Sequence, residues 1–297
     1  MKKQTSPLLA HGFALFTAIA WGSSFIASKI LLESYTPTQV MLIRFALAYV
    51  ALWLCCPKKL KLSLKEELFF ILLAISGCSI YFLFENSALT HTYASNVSII
   101  VAAAPILTAI AAHFFTRDEK LSKGSILGFM VAIVGVAMVV FNGQVVLKLS
   151  PLGDLLSFGA AASWAVYSIL LGKAMNKYEN LLLTRRLMFW GFFTALPIAL
   201  IEGKSFSLAP MLSWEYIICV VFLSFICSAI GYIFWSAASK KLGIVVVCNY
   251  VYIIPFFTML TGVIVLHEPL SLMGIVGAVL ITLGMFIADR KKSNQSL

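Results

Sequence analysis

Long apolar stretches alternate with short polar connections along the whole chain. A helix that rises 1.5 Å per residue needs about 20 apolar residues to cross a hydrocarbon layer about 30 Å thick. Ten stretches approach or exceed that length, and we number them as the first to tenth spans: 8–32, 38–56, 66–87, 94–116, 124–141, 151–171, 181–201, 213–237, 243–266 and 270–289. The pattern predicts an all-α integral membrane protein with ten transmembrane helices.

Composition agrees with this class and excludes a soluble globular domain. Of 297 residues, 61% are apolar and 11% are charged, whereas about one-quarter of a soluble domain is charged. The formal net charge of +10 raises the question of a nucleic-acid partner. Because the basic residues lie in short loops between spans rather than along one face, we predict the lipid bilayer as a partner and no nucleic acid.

The distribution of Lys and Arg predicts the orientation. If both termini are cytoplasmic, the external regions keep only Lys29, Lys148 and Lys204. The other basic residues outside the spans then face the cytoplasm, as the positive-inside rule requires. We predict a multi-pass protein of the cell (plasma) membrane with both termini cytoplasmic. The first apolar run is longer than the apolar core of a signal peptide, so we expect it to be retained.

The chain also contains an internal repeat. Pro105 and Pro255 interrupt the fourth and ninth spans 150 positions apart. Further matches at similar offsets are Trp21 with Trp164, Arg44 with Arg186, Gly128 with Gly277 and Gly135 with Gly284. Each unit holds five spans, an odd number, and the loop charges swap between the units, so the second unit should be inverted. We predict repeat 1 over residues 1–146 and inverted repeat 2 over residues 147–297, with a central cavity between them.

These residues together resemble a known family. The Trp21-Gly22-Ser23 segment, Arg44, the mid-span Pro105 and Pro255, and the Glu-x-Leu-Ser turns at 119–122 and 268–271 are similar to EamA-type transporters of the drug/metabolite transporter superfamily. The second unit departs at Ala165, which replaces the glycine of the first. The resemblance implies a ten-helix basket that carries amino acids, their derivatives or similar metabolites, often outward.

Two ionisable residues within spans are candidates for function. A carboxylate at Glu85, with Tyr81 one turn earlier, is costly in hydrocarbon and favours a proton-binding or cation-binding site. The alternative is a structural role near the outer interface, where Glu85 would tie Asn86 to neighbouring helices. Arg44 could neutralise a substrate carboxylate, and the alternative is an arginine that extends its head group to the interface.

The paired prolines and several aromatic residues complete the predicted pathway. Pro105 and Pro255 should kink their helices and free carbonyl groups, as in transporter sites, or else mark simple packing kinks. The aromatic residues away from span ends could line an amphipathic cavity or pack in the core. The predicted pathway residues are Trp21, Ser24, Arg44, Tyr81, Glu85, Asn96, Pro105, Trp164, Tyr167, Tyr232, Trp235, Asn249, Tyr252 and Pro255.

Sequence motifs separate the function classes. No Gly-x-x-x-x-Gly-Lys-Ser/Thr motif for an ATP-driven pump occurs, and the four histidines and six cysteines show no ligand spacing. We therefore predict no enzyme activity, no metal and no cofactor. The predicted function is a secondary transporter, and in particular an exporter, of small metabolites such as amino acids or their derivatives. The alternative is a polar-lined channel or facilitator. The predicted partners are a small-molecule solute and, as a candidate, protons; no oligomeric state is predicted.

The loop charges give a testable topology. Reporters fused after residue 35, 90, 145 or 203 should be external, and those fused after residue 60, 120, 176 or 240 should be cytoplasmic, because the basic loops swap sides between the units. Alkaline phosphatase and fluorescent-protein fusions measure this directly. Equal orientation of the two halves would show that the repeats are not inverted.

Overall fold

The computed structural model describes residues 6–58, 60–115, 123–140 and 151–266, with 272–273, 276–277, 279–280, 283–284 and 287. These residues form helices and connections without a strand. Eight helical stretches are long and apolar enough to cross a membrane: Pro7–Leu31, Pro37–Cys55, Leu64–His91, Ala94–Phe115, Pro151–Ala174, Asn180–Glu202, Trp214–Leu242 and Ile244–Val265. They correspond to the first four spans and to the sixth through ninth.

Several spans are divided into shorter segments. The α-helices are α1 (Pro7–Leu31), α2 (Pro37–Cys55), α3 (Leu64–Ala74), α4 (Tyr81–His91), α5 (Ala94–Val101), α6 (Ala104–Phe115), α7 (Lys123–Val140), α8 (Pro151–Ala174), α9 (Asn180–Glu202), α10 (Trp214–Val221), α11 (Gly231–Leu242), α12 (Ile244–Cys248) and α13 (Ile254–Leu266). Two π-helical segments, π1 (Ile75–Ile80) and π2 (Phe222–Ile230), lie within the third and eighth spans. A 3₁₀ turn at Asn249–Ile253 joins α12 to α13.

The fifth predicted span corresponds to α7, which has 18 residues, and the tenth falls on residues of which only part is described. The two spans touch through glycine, since a Cβ built on Gly284 would lie 2.6 Å from the carbonyl oxygen of Gly128. The Glu-x-Leu-Ser turns at 119–122 and 268–271 and the predicted boundary between 146 and 147 lie outside the described residues.

Local capping signals explain where the early helices begin. The Ser6 hydroxyl accepts a hydrogen bond from the Leu9 amide before α1. Thr36 and Gln39 form a reciprocal capping box at the start of α2, and Ser63 and Glu66 form another at the start of α3. Such boxes satisfy backbone amides that have no partner within the helix.

Helices α2 and α9 pack along each other in opposite directions. Near the start of α2, the Gln39 amide donates to the carbonyl groups of Lys204 and Ser205, just past the end of α9. Near the start of α9, the Arg185 guanidinium donates to the carbonyl groups of Cys56 and Lys58, just past the end of α2. The start of each helix therefore satisfies carbonyls beyond the end of the other. The second and seventh spans are antiparallel, as an inverted duplication requires.

The outer surface is apolar and the centre is aromatic. Large apolar side chains such as Phe114, Leu200 and Leu212 are exposed, which is unfavourable in water but suits contact with lipid. The bulkiest fully buried side chains include Trp235, Arg44 and Tyr167. The protein is thus a multi-pass membrane protein in which the largest fully buried side chains include aromatic residues and Arg44.

Candidate functional site

A narrow cavity lies between the helices of the two halves. Its lining residues come from seven of the described spans: Trp21, Ser24, Phe25, Arg44, Tyr81, Phe82, Glu85, Val101, Ala104, Trp164, Tyr232, Val251 and Ile254. Its free volume is about 20 Å³, which holds about one water molecule. The cavity is therefore narrow around its polar groups in this conformation.

Seven of the predicted pathway residues meet in this cavity. They are Trp21, Ser24, Arg44, Tyr81, Glu85, Trp164 and Tyr232. Two more, Trp235 and Tyr167, pack against its aromatic wall, since the ring centroids of Trp21 and Trp235 are 4.9 Å apart and those of Trp164 and Tyr167 are 4.8 Å apart. The structure therefore brings most of the predicted aromatic residues to one place.

The π-helical segments determine how this aromatic wall is held. The Trp21 indole on α1 donates to the carbonyl oxygen of Cys227 in π2, at 3.0 Å. The Tyr232 hydroxyl on α11 donates to the carbonyl oxygen of Gly77 in π1, at 2.7 Å. A π-bulge disturbs the regular i to i−4 hydrogen bonding of a helix and leaves carbonyls available to other donors. The two interrupted spans thus anchor cavity side chains through their backbones.

A third bond completes the pattern on the opposite side. The Ser163 hydroxyl on α8, adjacent in sequence to Trp164, donates to the carbonyl oxygen of Ser76 in π1, at 2.7 Å. The first span therefore binds the interruption of the eighth, and the sixth span binds the interruption of the third. Gly77 permits the close approach of Tyr167, because a Cβ at Gly77 would lie 2.1 Å from the Tyr167 ring.

Arg44 is buried rather than extended to the membrane surface. Only 1% of its surface is exposed, and its Nε donates to the Ser228 hydroxyl in π2, at 2.9 Å. Its guanidinium lies 4.0 Å from the centroid of the Phe82 ring, a cation–π arrangement. Both Nη groups lack a hydrogen-bond partner among the described residues. This placement argues against the alternative in which the Arg44 head group extends to the membrane interface.

Arg186, which the sequence pairs with Arg44, occupies a different environment. Its guanidinium forms a two-bond ion pair with Glu67, and Glu67 also accepts a bond from the Trp190 indole at 2.8 Å. The Arg186 side chain is 26% exposed. The expected equivalence of the two arginines therefore does not extend to their contacts, and only Arg44 reaches the cavity.

Glu85 faces the cavity from α4. It is 2% exposed, and its Oε1 has no hydrogen-bond partner in the described part of the chain. Asn86 donates to the carbonyl oxygen of Pro37 at 3.3 Å. Of the two residues in the structural alternative, Asn86 bonds to a neighbouring helix, through Pro37 at the start of α2, whereas Glu85 bonds to Tyr81 one turn earlier on its own helix.

Both mid-span prolines follow a break in their helices. Ala102 and Ala103 form a turn before Pro105, and the 3₁₀ turn at 249–253 precedes Pro255. The two prolines are buried, and their preceding residues, Ala104 and Ile254, line the cavity. The interruptions thus adjoin the site, although the proline rings themselves do not line it.

Three predicted pathway residues lie away from the cavity. The Asn96 amide donates to the Thr92 hydroxyl at 3.1 Å, and Tyr252 packs near Phe129 in a second apolar cluster. Asn249 is buried outside the cavity lining. Within the described residues, no group of three His, Cys, Asp or Glu side chains is placed to hold a metal.

Sequence reasoning missed the two π-helical segments and the cavity residues Phe25 and Phe82. One signal for the segments was present, because Cys78-Ser79 recurs as Cys227-Ser228 at an offset of 149. That offset differs by one residue from the 150-residue spacing of Pro105 and Pro255. Ser228 is the serine that holds Arg44.

Comparison with known proteins identifies the family of this chain. A model of the EamA-like transporter family matches residues 8–141 and again residues 151–288. The chain belongs to the EamA-like transporter family. This confirms the resemblance, shows that the EamA unit occurs twice, and indicates a transporter rather than an enzyme.

Other EamA-like proteins match over nearly the full length. A protein of Archaeoglobus fulgidus named as an uncharacterized transporter is 28% identical over 297 residues, covering 98% of this chain and 99% of that protein. A probable amino-acid metabolite efflux pump of Salmonella typhimurium is 26% identical over 284 residues, or 92% of each chain. A crystal structure with 18% identity gives a TM-score of 0.75 over 96% of this chain and 98% of that chain, which shows a shared fold.

The bond between Tyr232 and π1 can be tested with a matched pair of substitutions. Tyr232→Phe leaves the Gly77 carbonyl without its donor, and this should cost roughly 1–2 kcal/mol of stability. Tyr252→Phe removes a buried hydroxyl that has no partner among the described residues, so it should be near neutral. Thermal unfolding in detergent measures both, and equal effects would contradict the assigned role of the Tyr232 bond.

Proposed function

We propose that this EamA-like protein is a secondary transporter that exports small metabolites, such as amino acids or their derivatives, through the cavity between two inverted repeats. The observation that supports this most directly is that Arg44 and Glu85 are both buried in the cavity lining, where the two Nη groups of Arg44 and Oε1 of Glu85 have no hydrogen-bond partner among the described residues. Buried charges without partners are costly and mark functional sites in membrane proteins. The printed name of the Salmonella relative supports amino-acid metabolites and export.

Several contacts support inverted five-helix repeats, residues 1–146 and 147–297, in a ten-helix fold. Trp21 bonds to π2 while Ser163 bonds to π1, so corresponding spans of the two units exchange equivalent contacts. The antiparallel pair of α2 and α9 and the glycine contact between the fifth and tenth spans agree with this symmetry. In the proposed arrangement the protein lies in the plasma membrane, and both termini face the cytoplasm.

The small volume of the cavity favours a carrier over a channel. A free volume of about 20 Å³ is far below the volume of an amino acid, so passage requires the helices around the cavity to move. Carriers that alternate between two openings use such movements around a fixed midplane site. The breaks before Pro105 and Pro255 adjoin the cavity and provide candidate positions for the movement.

Glu85 is the candidate for coupling. It is a carboxylate in the cavity lining with a free oxygen, and carboxylates in membrane spans serve as proton or cation sites. In the proposed cycle, Glu85 binds the solute when the cavity is open to one side of the membrane. When transport is coupled to protons, Glu85 binds a proton when the cavity is open to the other side.

Transport by purified protein in liposomes tests the proposal. A panel of amino acids and metabolites, measured with and without a proton gradient, should include a solute whose flux saturates and accelerates when the same solute is present on the far side. Glu85→Gln should insert and fold. Its ratio of maximal transport rate to KM should nevertheless fall by roughly tenfold or more, because a charged hydrogen bond to the solute is lost. It should also lose any proton dependence.

Glu33→Gln serves as the control, since Glu33 is exposed in the connection after α1, and it should transport normally. Flux that rises linearly with concentration and shows no exchange would indicate a channel. Normal flux with an unchanged pH profile in Glu85→Gln would assign Glu85 a structural role.

A further inference from the structure

A groove runs between α2 and α9 on the outside of the helix bundle. It consists of two adjoining pockets of about 380 Å³ and 260 Å³, and Phe192 lines both of them. Val50 on one side is 50% exposed and Phe193 on the other is 46% exposed, so the groove opens toward the lipid. It shares no lining residue with the central cavity. The groove is therefore separate from the proposed solute site.

The length and chemistry of the groove suit one acyl chain. Along α2 its lining runs from Gln39 to Val50, and eleven residues of helix rise about 16 Å. One leaflet of a hydrocarbon core about 30 Å thick measures about 15 Å. The pocket farther from Gln39 is lined by aliphatic and aromatic side chains: Ala46, Tyr49, Val50, Phe189, Phe192 and Phe193.

The opposite end of the groove carries two charged side chains, Glu202 and Lys204. Gly203 between them ends α9 with a φ of 60°, a left-handed conformation that glycine adopts without steric cost. The Gln39 amide donates to the carbonyl oxygens of Lys204 and Ser205, at 3.3 and 3.2 Å. The first turn of α2 thus holds the turn after α9 at the end of the groove.

The carboxylate of Glu202 is also positioned by α2. Its Oε2 accepts hydrogen bonds from the Thr36 hydroxyl at 3.1 Å and from the Thr38 hydroxyl. A carboxylate has about four acceptor sites, so Glu202 can bind a further donor through Oε1. The negative charge therefore has a defined place at the end of the groove.

The ammonium group of Lys204 has no such partner. It forms no hydrogen bond or ion pair with another residue in the described part of the chain, Glu202 included. Both residues are exposed. The end of the groove therefore presents a cation and an anion two residues apart, above an apolar channel that faces lipid.

This combination matches a phospholipid with an ethanolamine head group. The acyl chain suits the apolar groove, the phosphate suits Lys204, and the primary ammonium group can donate to Glu202. A lipid with an anionic head group and no cation would be repelled by Glu202. A choline head group has a cation but no N–H donor for the carboxylate.

A third groove shows that this charge pair is specific to its place. It lies between α1, α10 and α13, has a volume of about 280 Å³, and includes Glu215 as the only charged residue of its lining. It offers no cation to a phosphate. Glu215 is exposed at the start of α10 and provides a matched control for Glu202.

We propose that the groove between α2 and α9 binds an ethanolamine phospholipid, with one acyl chain along Phe192, the phosphate at Lys204 and the ammonium group at Glu202. In the proposed topology this lipid belongs to the external leaflet. The site is independent of the solute that the central cavity carries.

Native mass spectrometry of the purified full-length protein tests the inference. The protein is placed in nanodiscs with equal amounts of phosphatidylethanolamine, phosphatidylglycerol and phosphatidylcholine that have the same acyl chains. Collisional removal of the surrounding bilayer leaves the tightly bound lipid. The wild type should retain phosphatidylethanolamine at least threefold more than either other lipid.

Two charge variants should change this selectivity in different ways. Glu202→Gln should abolish the preference over phosphatidylglycerol, because the carboxylate no longer attracts the ammonium group or repels the anionic lipid. Lys204→Gln should lower the retention of all three lipids at least threefold, because each carries a phosphate. Glu215→Gln and Lys65→Gln are the controls, since both residues are exposed and lie outside the groove, and they should behave like wild type.

A variant that fills the groove provides a test that does not depend on charge. Ala46→Phe should reduce the retention of all three lipids at least threefold, because the larger side chain occupies the path of the acyl chain. Leu47→Phe is the matched control, since Leu47 is exposed but does not line the groove. This pair decides the question even if Glu202→Gln does not fold.

Three results would overturn the inference. The first is equal retention of the three lipids by the wild type, or stronger retention of phosphatidylglycerol or phosphatidylcholine. The second is an unchanged lipid ratio and amount in the variants at 46 and 204. The third is a loss of dimers in Ala46→Phe with unchanged lipid retention, which would make a second copy of the chain the occupant of the groove.

Discussion

The constraint on which this structure depends is that backbone polar groups within hydrocarbon must find partners inside the protein. Regular helices meet it without help from side chains. The third and eighth spans depart from regularity in π1 and π2, and their carbonyls at Gly77 and Cys227 are satisfied by Tyr232 and Trp21. The same side chains form the cavity wall. The side chains that satisfy these backbone carbonyls therefore also determine the shape of the cavity.

The cavity nevertheless contains charged side chains with atoms that have no hydrogen-bond partner among the described residues. Arg44 is oriented by Ser228 of π2 and supported by Phe82, yet its Nη groups remain free beside Glu85. A protein selected for stability alone would gain by replacing such a pair with apolar residues. The retention of both charges in an otherwise aromatic cavity is consistent with a site that is complete only with its solute.

The sequence predicted those features that depend on composition and periodicity. Span length located eight helices, and the spacing of Pro105 and Pro255 located the breaks beside the cavity. The π-helical segments were not predicted, because an almost uniformly apolar span gives no periodic signal for one extra residue per turn. Only the recurrence of Cys78-Ser79 at Cys227-Ser228 marked them.

Pairwise contacts between distant spans were also beyond the sequence. Arg44 and Arg186 align at similar places in their units, but their surroundings are set by Ser228 and by Glu67, which come from other helices. Asn96 and Asn249 were plausible pathway residues because polar side chains are rare in spans. The structure places them outside the cavity, since only packing decides which face of a buried helix meets the site.

The central claim is that the aromatic cavity is the solute site, and accessibility of Ser24 tests it most directly. Ser24 lines the cavity, whereas Ser28, one turn later on α1, is buried outside it. In a protein freed of its six cysteines, Ser24→Cys should react with a water-soluble maleimide and be protected by a transported amino acid, while Ser28→Cys should not react. Failure of Ser24→Cys to react from the aqueous phase, or reaction that saturating solute does not slow, would contradict the account.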